Sequence, residues 1–157
     1  VPHADFGEGV TAVLVCNKGA DVTETGVLKA LDGRLAKFKM PKETDEQKSV
    51  REVAIIQATM NAAHIPLHVS EYAVKVMEFA LKCAKSGLQS ALGDSASGFA
   101  MARASLTAAG YNVRINLNSL EDKSLGKRML SELAELESAA DKLEGEMQVV
   151  MKERGGI

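Results

Sequence analysis

Near the end of the chain, Met129, Leu133, Leu136, Ala140, Leu143, Met147 and Val150 recur at alternating spacings of four and three. Side chains at that spacing share one stripe of an α-helix, and a stripe held over about three heptads has to be covered by another helix. The positions between them are mostly Glu, Lys, Ser and Gln. A helix from about Ser124 to Arg154 follows, with Gly155, Gly156 and Ile157 as a fraying tail. Its seam suits two partners equally, the rest of its own chain or a second copy.

The middle of the chain carries two more helical signatures. "MPKETDEQKSVREVAIIQATMNAAH" opens with a Pro and an acidic turn, and Thr44 followed by Gln47 has the spacing of a capping box. Ile55, Ile56, Thr59, Met60 and Ala63 then make one apolar face. Pro66 lacks an N–H and clashes with the preceding turn, so it is expected to end this helix and begin the next. In that next helix Val69, Ala73, Val76, Met77, Ala80, Leu81 and Ala84 recur at threes and fours. Lys82 and Lys85 suit its carboxyl end, and Gly87 is placed to terminate it.

Residues 84–117, "AKSGLQSALGDSASGFAMARASLTAAGYNVRINL", are mostly Ala, Gly and Ser. Ala91, Ser95, Gly98, Ala102, Ser105 and Ala109 fall on one helical stripe. Small side chains let neighbouring backbones approach closely. This helix is therefore expected to be central, and Gly98, costly in a helix interior, is expected to mark a close contact.

The coarse sum is an all-α fold, an antiparallel helical bundle with long helices and short loops. Residues 1–38 form a segment of different character within the same domain, and residues 39–157 the helical core. "TAVLVC" at 11–16 is short enough for either a strand or a buried helical turn, while Leu28, Leu31, Leu35 and Phe38 regain helical spacing. At 157 residues and 46% hydrophobic content the chain has one domain's worth of core. A net charge of −2 gives no electrostatic case for nucleic acid. No apolar run reaches the roughly 18 residues of a membrane helix. Cys16 and Cys83 lack metal spacing and read as idle or buried thiols of a reducing compartment, so a cytoplasmic setting is expected.

Standard catalytic and phosphate-binding motifs are missing. His64 and His68 stand four apart, but with Pro66 dividing two helices no shared face and no metal site is expected. Asp94 is the only acidic residue between Glu78 and Glu121. On a crowded small-residue helix it is expected to be partly buried, and a carboxylate so placed is a candidate acid or base. It also has the setting of a helix N-cap. Asn112 and Asn116, four apart, share a face if "YNVRINLNSL" is helical; alternating Val113, Ile115 and Leu117 would suit an extended segment. Arg114 offers a rigid fork to a carboxylate or planar ring, and an asparagine both donates and accepts.

"FKMPKETDEQKSVR", "NAAHIPLHVSEYAVKVMEFA" and "SGLQSALGDSASGFAMARASLTAAGYNVRINLNSLEDKS" occur in an order and at spacings that resemble the cyclodeaminase/cyclohydrolase family. That family holds formimidoyltetrahydrofolate cyclodeaminases and methenyltetrahydrofolate cyclohydrolases. The resemblance runs from about Leu35 to Ser138, and residues 1–34 lie outside it. Gly93 stands where Ser or Thr usually precedes the aspartate, and Leu88 where Asn usually follows the glycine. The resemblance implies an all-helical homodimer with a tetrahydrofolate derivative bound near the subunit interface. It implies ring closure with loss of ammonia or the related hydrolysis, lyase or hydrolase chemistry in one-carbon metabolism, with no metal and no cofactor beyond the folate substrate. Asp94 becomes the acid/base candidate, and Asn112, Arg114, Asn116 and Lys42 the substrate-binding candidates. The rival expectation is a non-catalytic helical dimer or interaction module that uses the heptad face.

Overall fold

The computed structural model describes residues 40–157. Expectations for "TAVLVC", Cys16, the helix through Phe38 and the segment boundary at residue 38 lie outside them. The described residues are all-α, with three long helices: α1 (Asp45–Ser86), α2 (Leu92–Asn118) and α3 (Lys127–Val150). Short 3-10 turns at Gln89–Ala91 and Lys123–Gly126 join them, and a π-helical turn, Met151–Gly155, follows α3.

The Thr44 hydroxyl accepts from the Gln47 amide at 3.2 Å, and the Gln47 side chain accepts from the Thr44 amide at 3.3 Å. The capping box therefore starts α1 where its spacing predicts. The expected break at Pro66 does not occur: α1 runs through it for 42 residues, about 63 Å. Proline removes one backbone donor, the one that would have served the Ala62 carbonyl. The Asn116 side-chain amide reaches that carbonyl from α2 at 3.5 Å, and α2 packs along the same stretch. Tertiary packing thus outweighs a local breaker. At the far end, Gly87 caps α1 with φ −79°, so a left-handed turn is not its role. A Cβ there would sit 2.5 Å from the Cys83 carbonyl oxygen. Arg154 closes the same end, donating to the Ala84 carbonyl and, at 2.9 Å, to that of Gly87.

"YNVRINL" is helical, so Ala-rich context prevails over β-branching there. α2 does not start on Asp94. Its N-cap is Ala91, without a side-chain cap, and Asp94 lies in the first turn, where a carboxylate suits the helix dipole.

One apolar cluster joins Leu81 and Ala84, late in α1, to Leu92 and Phe99, early in α2. A second joins Ala63 and Leu67 to Val113 and Leu117, late in α2. The seam of α3 closes both: Met129 and Leu133 sit in the second cluster, Ala140, Met147 and Val150 in the first, and Leu136 packs against each. The heptad face is therefore spent on the chain's own core. Among the described residues the small-residue helix, by contrast, is not surrounded. A Cβ added at Gly93 or Gly98 would meet nothing within 4 Å among the described residues, which therefore do not supply the close contact expected at Gly98. Close approach occurs instead at Gly126, against Leu117 at 3.2 Å, and at Gly110, against Arg114 and Glu137 at 3.0 Å. Cys83, expected to be buried or idle, is exposed.

Candidate functional site

Successive side chains on a helix advance by about 100°. Asp94, Met101, Ser105, Ala108 and Asn112 thus fall within about 60° of one another on α2, and all are exposed. Asp94 is consequently not the partly buried group expected from its crowded sequence. The core of α2 runs through Leu92, Phe99, Leu106 and Val113, and the aspartate lies well round the helix from that stripe.

On α1, Ile65, Val69, Tyr72, Val76, Phe79 and Cys83 alternate four and three within about 80°. Tyr72 is 65% exposed and Phe79 69%. The sequence pattern puts Val69 and Val76 on the core face; the structure assigns the core to Ala63, Leu67, Ala73, Met77, Leu81 and Ala84 instead. The helix is apolar on two sides, and the two stripes overlap when read as one. The periodicity needed to separate them was present in the sequence.

These two stripes lie on one face. α2 meets α3 through Arg103, paired with Asp141 and Glu144, and Arg114, paired with Glu137. It meets α1 through its small-residue side and Asn116. Asp94 and Asn112 border the α1 side, turned away from Arg103 and Arg114. On α1, Lys85 reaches α3 through Glu146 at 2.6 Å, and the Tyr72–Phe79 stripe is turned away from Lys85. The α1–α2 pair therefore has α3 on one side, and on the other an apolar stripe beside a small-residue stripe carrying one carboxylate.

The candidate residues do not converge within one chain. Asp94 and Asn112 are 18 positions apart on a single helix, about 27 Å. The Asn112 amide nitrogen donates back to the Ala108 carbonyl at 3.0 Å, and that of Asn116 to Asn112 at 2.8 Å as well as to Ala62. Arg114 is held in a two-pronged pair with Glu137, at 2.9 and 2.6 Å, which keeps its guanidinium above its ordinary pKa. It faces α3 and works there as a bridge between helices. Lys42 is exposed and precedes α1, while Asp94 follows the other end of that helix. An open groove of about 610 Å³ lies between α1 and α3, lined by Glu78, Ser131, Glu135, Ser138, Lys142 and Glu146 among others. None of the candidate residues borders it.

Comparison with known proteins bears on this arrangement. A profile of the family described as formiminotransferase-cyclodeaminase matches residues 28–135. A methenyltetrahydrofolate cyclohydrolase of Methylorubrum extorquens is 28% identical over 146 residues, covering 90% of this chain and 70% of its own length. Only a tenth of the chain is left out, so the similarity reaches into residues 1–34, beyond the limit set by the motifs. The profile spans all of α1 and α2, Asp94 and both asparagines, and more than half of the chain: this protein belongs to the formiminotransferase-cyclodeaminase family.

Proposed function

We propose that the chain acts on a tetrahydrofolate derivative as a cyclodeaminase or a cyclohydrolase, with Asp94 as the acid/base group, in a homodimer of antiparallel helical bundles. The observation that carries this reading is the family match across Asp94, the sole acidic residue of a face otherwise apolar, small or amide-bearing.

In ring closure the attacking nitrogen gives up a proton as it bonds to the one-carbon unit, and the departing amine takes one up as its bond breaks. In hydrolysis the attacking group is water and the departing group a ring nitrogen. One carboxylate can receive and return the proton in either sequence. The pattern of contacts supports the antiparallel reading: late α1 meets early α2, and mid α1 meets late α2. The α1–α2 face supports the dimer. α2 is about 40 Å long and the pair about 20 Å wide, roughly 800 Å², the area a stable association buries per partner. If α2 crosses its own copy antiparallel near residue 103, Asp94 of one copy approaches Asn112 of the other. Small residues at Ala104, Ser105 and Ala108 allow that approach. The reading places the protein in the cytoplasm and gives it no cofactor beyond its folate.

The rival built on the heptad face has lost that surface, since Leu133 and Ala140 are wholly buried within the chain. What remains of it is an inactive dimer through the α1–α2 face. Assays of methenyltetrahydrofolate hydrolysis and of formimidoyltetrahydrofolate ring closure separate the two. Asp94→Asn should lower turnover by about 100-fold or more while costing stability no more than the helix-dipole contribution of about 0.3–1 kcal/mol, because Asp94 is exposed. Absence of both activities in the folded wild type, or full activity in Asp94→Asn, would sink the reading.

A further inference from the structure

Continuity of α1 through Pro66 changes the standing of two histidines. His64 and His68 now lie one turn apart on one exposed face. Their ring centroids are 6.2 Å apart and their planes 26° apart. One turn further, Glu71 Oε2 lies 3.1 Å from His68 Nδ1. A carboxylate at Nδ1 favours the tautomer with hydrogen on that nitrogen and leaves the Nε2 lone pair directed outward. The same carboxylate–histidine pairing orients metal-binding imidazoles in general.

We propose that His64 and His68 form a two-histidine site for a divalent metal of the zinc, nickel and copper class. Histidines four apart on a helix are able to reach one ion at about 2.0–2.1 Å, and both residues are exposed. Glu71 acts as the orienting partner of His68. Among the described residues no group of three or more His, Cys, Asp or Glu comes together to hold a metal, and the site proposed takes two imidazoles with water as the remaining ligands. Imidazole donors select against magnesium and calcium, which take oxygen.

The location gives the ion something to do. The turn spanned by His64 and His68 contains Pro66, whose ring nitrogen cannot bond to the Ala62 carbonyl. An ion held by both histidines ties residues 64 and 68 across that turn and favours the helical form. Binding to the native state alone raises stability with free metal concentration. The site uses neither Asp94 nor Asn112 and stands apart from the folate reading.

The test is a titration of the whole chain with zinc, followed by thermal unfolding and calorimetry. Cys83→Ser serves as background, since that thiol is exposed and itself a zinc donor. The expected result is saturable binding of one zinc per chain with a rise in melting temperature, and no rise with magnesium. His64→Ala and His68→Ala should abolish the rise while keeping the metal-free melting temperature. Glu71→Gln should weaken zinc binding by about tenfold or more. No zinc-dependent rise, or a rise that survives in either histidine variant, overturns the proposal.

Discussion

Pro66 and Asn116 show how a residue's meaning is set by a partner far away in sequence. Pro66 reads locally as a helix break, and Asn116 as a site residue beside Asn112. The structure joins them: the proline frees the Ala62 carbonyl, and the asparagine from 54 positions on approaches it. No local pattern encodes that pair. Asn116→Ala is expected to destabilise the chain by about 1 kcal/mol. In a Pro66→Ala background the restored backbone N–H serves Ala62, so the cost should fall by about 0.5 kcal/mol or more, read from a double-mutant cycle in urea. Equal costs in both backgrounds would show that the amide does nothing for that carbonyl. Asp122 makes a simpler residue-scale case. Its carboxylate accepts from the Ser124 amide at 2.8 Å ahead of the turn into α3, and hydrogen bonding to Ser124 lowers its pKa below 3.8. A depressed folded pKa adds stability that is present above the unfolded value and lost as pH falls through the folded one. Asp122→Ala should therefore lower the urea midpoint at neutral pH and remove that part of its decline below about pH 4.

At the scale of elements, the helices were largely legible and their surroundings were not. The capping box at Thr44 and the seam of α3 are local patterns with one geometric meaning, and both appear where their spacing puts them. The small-residue stripe of α2 signals close approach without saying which neighbour approaches. Among the described residues Ala102 and Ala109 on that stripe are buried, while a Cβ at Gly98 meets nothing within 4 Å. This separates the glycines. Gly126→Ala would place a methyl 3.2 Å from Leu117, whose side chain is buried and would have to shift by a few tenths of an ångström. A loss of about 1–3 kcal/mol is expected in denaturant titrations. Gly98→Ala meets nothing among the described residues and relieves the entropic cost of a helical glycine, so a gain of about 0.5–1 kcal/mol is expected. If a second copy covers α2 as proposed, Gly98→Ala should also weaken association, and sedimentation at several concentrations would detect it. A gain in stability with association unchanged would place the dimer contact elsewhere.

For the whole molecule the separation of Asp94 from Asn112 governs what kind of site is possible. One α-helix holds them about 27 Å apart, and bending cannot bring the two ends of a straight helix together. Either they serve different sites, or they meet across a symmetric pair of chains. The sequence marked both residues but not the distance, because spacing along the chain becomes distance only once the segment between them is known to be one helix. The exposed stripe of Ile65, Tyr72, Val76 and Phe79 on the same face favours the second alternative, since large apolar side chains exposed in a row rather than singly suit an interaction surface. Phe79→Glu should then yield a folded monomer that has lost activity, because its side chain, 69% exposed, contributes little to the chain's own core. Subunit mixing tests the arrangement more closely. Asp94→Asn and Asn112→Ala should each be inactive as pure dimers. After unfolding and refolding together in equal amounts, about half of the dimers are mixed, and a mixed dimer holds one site with neither substitution and one with both. Activity should return to about one quarter of wild type if each site draws Asp94 from one copy and Asn112 from the other. If both residues of a site come from the same copy, every site in the mixture carries a substitution and no activity returns. The two outcomes differ in kind, so this mixture decides whether the open face of α1 and α2 is half of an active site or only half of an interface.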